Sequence, residues 1–211
     1  DRWQLRMSVT HNQMDDGQYY FPGLEDLATA LEASEPLWPE APSLVDKLVV
    51  ESAEINYYSV GAAYSSAPWQ IQAEVSYLDS AVDIFPTLLS SYISVGRQVG
   101  PVTLYTLLSD ANLRSDRIIV PAPPDYPMMP VESAQLDLLA AATQYLFDGA
   151  NIDQSTFSLG ARWDVRYDMA LKFQWDRSWV DRYGTSLWDQ RGLPSDDQTL
   201  DTYTINLNVI F

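Results

Sequence analysis

The chain has 211 residues, enough for one domain, and its formal net charge of -17 excludes nucleic acid as a partner, since a polyanion gains nothing from counterion release. It has no cysteine and one histidine, His11, which excludes disulfides, thiolate metal sites and multi-histidine zinc centres, and any Ser-His-Asp chemistry not built on that imidazole. No apolar run approaches the ~18 residues that a membrane-spanning helix needs, yet seven Trp and thirteen Tyr are many for so acidic a chain.

Period-two alternation dominates the sequence and predicts eight strands. The first starts at about residue 2 and sets Trp3, Leu5, Met7 and Val9 against Gln4, Arg6, Ser8 and Thr10. No leader pattern of charged start, apolar run and small-residue cleavage site precedes it, so the expectation is a mature chain or a fragment. A long connection follows, 13–52, in which Leu24, Leu27 and Leu31 have the spacing of a helix face. The second strand sets Tyr58, Val60, Ala62 and Tyr64 against Ser59, Gly61, Ala63 and Ser65. After a short link at Ser66–Pro68, the third sets Trp69, Ile71, Ala73, Val75 and Tyr77 against Gln70, Gln72, Glu74 and Ser76.

Beyond the connection 79–86, two strands are less clean. In 87–98, Leu89, Ile93 and Val95 alternate with Ser90, Tyr92, Ser94 and Gly96, but Ser91 falls on the apolar face. A short link at Gly100-Pro101 leads to 102–110, where Leu104 and Leu108 face one way and Leu107 falls on the polar side. The connection 111–151 holds a Pro-rich run, Val120–Pro130, then Leu136, Leu139, Thr143 and Leu146 at helical spacing over 131–147, with Pro130 suited to a helix start. Phe157, Leu159, Ala161, Trp163 and Val165 then oppose Ser158, Gly160, Arg162 and Asp164. After a tight link around Arg166, Tyr167, Met169, Leu171, Phe173 and Trp175 oppose Asp168, Ala170, Lys172, Gln174 and Asp176. The connection 178–200 precedes a last strand with Tyr203, Ile205, Leu207, Val209 and Phe211 on one face and Thr202, Thr204, Asn206 and Asn208 on the other; Ile210 is its one exception.

The predicted fold class is all-β, an antiparallel transmembrane β-barrel with helix-bearing external loops, occupying 1–211 as one domain or as the C-terminal part of one. Each strand is near the ~9–11 residues that a tilted membrane strand requires, and short links alternate with long ones, as in barrels with short periplasmic turns and long external loops. Apolar-face aromatics fall at strand ends: Trp3, Tyr64, Trp69, Trp163, Tyr167 and Phe211 at one, Tyr77, Trp175 and Tyr203 at the other, the pattern of two interfacial girdles. Charges at mid-strand on the polar face suit a hydrated lumen and not a sandwich core. Backbone groups in hydrocarbon must all be satisfied, so the sheet must close or be completed by other strands.

Tyr203-Thr204-Ile205-Asn206-Leu207-Asn208-Val209-Ile210-Phe211 resembles the C-terminal assembly signal of Gram-negative outer-membrane proteins, with alternating apolar residues Tyr203, Ile205, Leu207 and Val209 and a terminal aromatic, Phe211. Asp153–Asp164 and Ala170–Arg177 are similar to the closing strands of proteobacterial porin-like proteins, and Tyr57–Tyr64 and Trp69–Glu74 to their upstream strands. The resemblance implies a channel in the bacterial outer membrane that passes small hydrophilic solutes passively, without catalysis, cofactor or bound metal. Its partners would be outer-membrane lipid, the barrel-assembly machinery acting through the last strand, and remaining barrel strands or a homo-oligomer. Such porins have sixteen or more strands; eight here imply the C-terminal half of a larger barrel. The alternative is a closed eight-strand barrel acting as an envelope scaffold or binding partners through its loops.

The pore-lining candidates are Arg6, Gln72, Glu74, Arg162, Asp164, Lys172, Gln174, Asp176 and Asn206; the other role for these charges is internal ion pairing in a narrow barrel. Asp15, Asp16, Glu25, Asp26, Glu32, Glu35, Glu40, Asp181, Asp189, Asp196, Asp197 and Asp201 make the loops acidic, which would favour cations at a mouth, offer hard oxygens to Ca²⁺, or simply be solvated. His11 beside Asp15 and Asp16 is the one arrangement that could serve a hydrolase, and no nucleophile motif supports it. The helix at 131–147 could constrict the lumen, cover the mouth or pack on neighbouring loops.

Overall fold

In a computed structural model that describes residues 2–13, 23–48, 54–85, 87–149, 151–182, 184 and 196–210, the alternating segments form one antiparallel sheet. Its strands are β1 (Trp3–Gln13), β2 (Glu54–Ser66), β3 (Trp69–Ser80), β4 (Leu88–Val99), β5 (Val102–Leu113), β6 (Gln154–Arg166), β7 (Met169–Val180) and β8 (Gln198–Val209). Each pairs with the next in sequence order, giving an eight-stranded meander. The short links are tight hairpins: Ala67-Pro68, Gly100-Pro101 and Tyr167-Asp168. Gly100 has φ 59°, the positive value that the first central position of a type II′ hairpin turn requires and that side chains resist. The third turn lies just past Arg166, where it was expected, because a bulge between Asp164 and Arg166 lets β6 run on. Hairpin pairing also extends strands into segments read as loop: β3 reaches Ser80, β5 reaches Leu113, β7 reaches Val180, and β8 begins at Gln198.

The sheet is open. Among the described residues no Cα of β1 comes within 8 Å of one in β8, so both are edge strands. The strands are also staggered. The line of paired residues that leaves β1 at Trp3 passes Tyr64, Ile71, Val95, Thr106, Leu159 and Trp175 and meets β8 at Tyr203, six residues above its turn-end residue Val209.

The helices lie in the long loops. α1 (Leu24–Ala33) starts at Gly23, with Glu25 and Asp26 in its first turn, where acidic side chains complement the helix dipole. α2 (Pro42–Val45) is a single turn that periodicity did not reveal, and α3 (Pro130–Gly149) starts at its proline as expected. Leu24, Ala28 and Leu31 of α1 are buried against Trp38, Leu44 and Leu48, against Val82 and Ile84 of the β3–β4 loop, and against Leu136 and Phe147 of α3. The apolar core therefore joins three loops and sits beyond the strand ends. Leu31, Trp38 and Leu48 have 0% exposure. Of the three placements open to the 131–147 helix, packing on neighbouring loops is the one observed. Polar contacts tie it down: Arg117 Nε and Nη2 donate to the two carboxylate oxygens of Asp148, both at 2.6 Å, Gln144 bridges to Val120 N and Ile118 O, and the Tyr126 hydroxyl donates to Leu37 O at 2.7 Å.

The sheet itself has no such core. Trp3, Leu5 and Met7 are 67%, 78% and 79% exposed, and Ile205 is 66% exposed. The outward face is apolar over one fixed height. The outward residue eight positions from the last outward turn-end residue is His11, Tyr58, Tyr77, Ser91 and Asp110 on β1 to β5 and Arg177 and Asp201 on β7 and β8; on β6, counted from Trp163 before the bulge, it is Ser155. Below that level Ser66, Arg97, Thr106 and, past the bulge, Arg166 interrupt the aliphatic and aromatic outward positions. Ser91, an exception by alternation, thus lies at the polar rim. Leu107 does face inward, between Ser94 and Ser158.

Candidate functional site

The inward face carries every pore-lining candidate, because strand parity puts Arg6, Gln72, Glu74, Arg162, Asp164, Lys172, Gln174, Asp176 and Asn206 on one side of the sheet. They are not one cluster. Arg6 and Glu74 flank Gly61 in one row across β1, β2 and β3, and a Cβ on Gly61 would come 3.0 Å from a Glu74 carboxylate oxygen. Gln72 links this corner to the middle of the sheet, lining hollows on both sides of it. On β6 and β7, Arg162 pairs across the ladder with Lys172, and Lys172 with Asn206.

Tyr105 organises this second region, and alternation had not singled it out. It occupies a row with Gly160 and Gln174, one strand apart each, and its ring lies flat over Gly160. A Cβ there would fall 2.1 Å from the ring, so no other residue leaves the ring in place. Across the glycine the Tyr105 hydroxyl donates to Gln174 Oε1 at 2.8 Å, and Gln174 Nε2 donates to Asp176 at 2.7 Å. Lys172 Nζ stands 5.3 Å from the ring centroid, within cation–π range. Arg162 Nε donates to Asp164 at 2.9 Å in an exposed pair. Sequence signals for this arrangement were the inward parity of Tyr105 and the glycines at 96 and 160 beside it. Tyr105, Arg162, Asp164 and Lys172, with Ser65, Gln70, Ser94, Gln98 and Thr103, line a hollow of about 790 Å³ near the turn end.

The outward face has its own chemistry at the two borders of the apolar band. At the turn end Trp3 packs on Tyr64, centroids 4.8 Å apart, and Arg97 lies over Trp69 at 5.3 Å. At the loop end Arg177 lies over Trp175 at 5.4 Å and forms a two-bonded pair with Asp201, which also accepts from the Trp175 indole at 2.9 Å. Each border sets an indole beside an arginine, an arrangement suited to a layer that is apolar on one side and wet on the other. Tyr203, Ile205, Leu207 and Val209 continue this face on edge strand β8; Phe211 lies outside the described residues.

The loop-end rim is acidic. Burial first, then the nearby carboxylates of Asp181 and Asp110, push the Asp153 carboxyl above its ordinary value, with Arg114 acting weakly the other way. A carboxyl raised on folding stabilises the fold only where it is protonated and opposes it once ionised. Asp153→Asn is therefore expected to raise the thermal midpoint at pH 7 and to leave it nearly unchanged near pH 4; an equal shift at both values would contradict this origin. No group of three or more metal-ligating side chains is formed among the described residues. His11 is exposed on the outward rim, where Nδ1 lies 2.8 Å from Asn56 Oδ1, while Asp15, Asp16 and Asp189 lie outside the described residues.

No protein-family model, curated protein or solved structure matches the chain. Fold and wall together define an all-β protein: a single staggered antiparallel sheet with one apolar face and one polar, charged face.

Proposed function

We propose that the chain is part of an outer-membrane β-barrel, a porin-like channel for passive diffusion of small hydrophilic solutes with a mild preference for cations. The observation that carries this reading is the outward face, predominantly apolar on every strand for about eight residues from its turn end and mostly polar beyond, where Leu89 and Trp179 are exceptions. Eight residues are about 27 Å of strand, close to the ~25 Å apolar band of outer-membrane barrels once tilt is allowed for. The inward charges need water, which a lumen supplies. Unpaired edges cannot persist in hydrocarbon, so β1 and β8 would be completed by further strands, making the chain part of a larger barrel. A closed eight-strand scaffold would need β1 and β8 to pair, and they stand apart. The free edge of β8 would offer the assembly machinery a strand to pair with, and the acidic loop rim would concentrate cations at the mouth.

The test is conductance in a planar bilayer of the protein extracted from its native membrane. Steady steps with a reversal potential favouring cations are expected; a silent bilayer with demonstrably inserted protein would remove the channel reading.

A further inference from the structure

The hollow over Tyr105 has more donors than acceptors, although the chain as a whole is strongly acidic. Of the charged groups lining it, Arg162 and Lys172 are cations and Asp164 is the one anion. Asp164 is taken by Arg162 Nε, so the bond to Asp164 does not use the outer guanidinium nitrogens of Arg162, which itself lines the hollow. Lys172 has no carboxylate within 4.0 Å among the described residues; the Tyr105 ring is its contact. The Tyr105 hydroxyl and Gln174 satisfy each other, so they hold the ring flat and do not neutralise the lysine. Around the two cations lie the amides of Gln70 and Gln72 and the hydroxyls of Ser94 and Thr103, groups that hydrogen-bond neutral oxygen.

We propose that this hollow is a binding site for a small hydroxylated solute bearing a carboxylate or phosphate. The oxyanion would be held between Lys172 Nζ and the outer nitrogens of Arg162, and the hydroxyls by the amides and hydroxyls around them. Guanidinium and ammonium side by side suit an oxyanion, since charge-assisted hydrogen bonds are about twice as strong as neutral ones. The acidic loops do not prevent this. Their field is screened within about 8 Å at physiological salt, so mouth and wall act on a solute in succession. The inference rests on the inward face being a lumen.

The experiment measures block of potassium chloride current by gluconate, with glycerol as the neutral polyol and inorganic phosphate as the second oxyanion, on the native-membrane protein and on Lys172→Gln and Lys172→Arg variants. Gluconate is expected to block and glycerol not. Lys172→Gln should raise the half-blocking concentration about tenfold, the loss of one charged hydrogen bond, and Lys172→Arg should largely restore it. Phosphate blocking better than gluconate would assign the site to phosphorylated solutes, and the reverse order to carboxylates. Conductance with gluconate no better than glycerol, or with block unchanged in Lys172→Gln, overturns the site and leaves the channel standing. If no current flows, the channel reading fails, and calorimetric titration of gluconate into the detergent-solubilised protein decides the site: heat lost in Lys172→Gln supports it, and no heat with the unaltered protein overturns it.

Discussion

Val95→Arg is expected to destabilise the protein in a bilayer by about 2–4 kcal/mol, the cost of a charge near the midplane on the lipid face of a barrel. Val95 faces outward on β4, between Ile71 and Thr106, four residues from the turn-end Val99 and so at the centre of the apolar band. Its neighbour Ser94 faces inward between Gln72 and Leu107, and Ser94→Arg should cost well under 1 kcal/mol, since surface substitutions lie within about 0.5 kcal/mol of neutral. Equilibrium unfolding by urea from lipid vesicles reads both. The asymmetry between adjacent residues separates lipid from water: if the outward face were solvated, the two arginines would cost alike. Equal, small effects would therefore sink the membrane reading, whatever the conductance.

Arg117→Ala is the second large effect expected, about 2–3 kcal/mol, felt in the loops. Asp148 has a side chain only 4% exposed and receives two 2.6 Å hydrogen bonds from Arg117, so removing the guanidinium leaves a buried carboxylate largely uncompensated. Arg117 itself is 29% exposed, which places the loss at the lower end for broken buried pairs. Because the loop core is separate from the strands, the loss should be local. Hydrogen exchange and limited proteolysis should accelerate across 114–149, while the β-sheet amides keep their protection. A uniform loss of protection in the strands would show that loops and sheet unfold as one unit, contrary to this division.

How far such features could be read from the sequence depends on what fixes them. Strand parity is decided residue by residue. Thus Phe157, Leu159 and Trp163 on one side, and Arg162 and Asp164 on the other, announced their faces without any knowledge of neighbours. Register was less visible: Ser91 read as a flaw until its distance from Val99 put it level with Asp110 and His11. Contacts across a strand were invisible, because Tyr105 and Gln174 are 69 residues apart and meet only where Gly160 leaves room. The loop core was half legible. Leu24 and Leu31 showed helical spacing, but Arg117 and Asp148 have no periodicity to betray them, and the four residues of α2 are too few to show one. Closure depends on whether β1 and β8 find each other or other strands, which no local pattern records.

The stagger of the strands has a geometric consequence. Six residues over seven strand spacings is about 20 Å of climb against about 34 Å of width, a tilt of ~30°. Carried round eight strands, that pitch closes a ring of about 7 Å backbone radius, in which inward side chains the size of Tyr105 and Arg162 would meet across the axis. Carried round sixteen, the radius is about 14 Å, and those same side chains become the lining of an open bore. The width of any passage is thus set by how many strands share this pitch, and the residues on the wall then decide what passes through it.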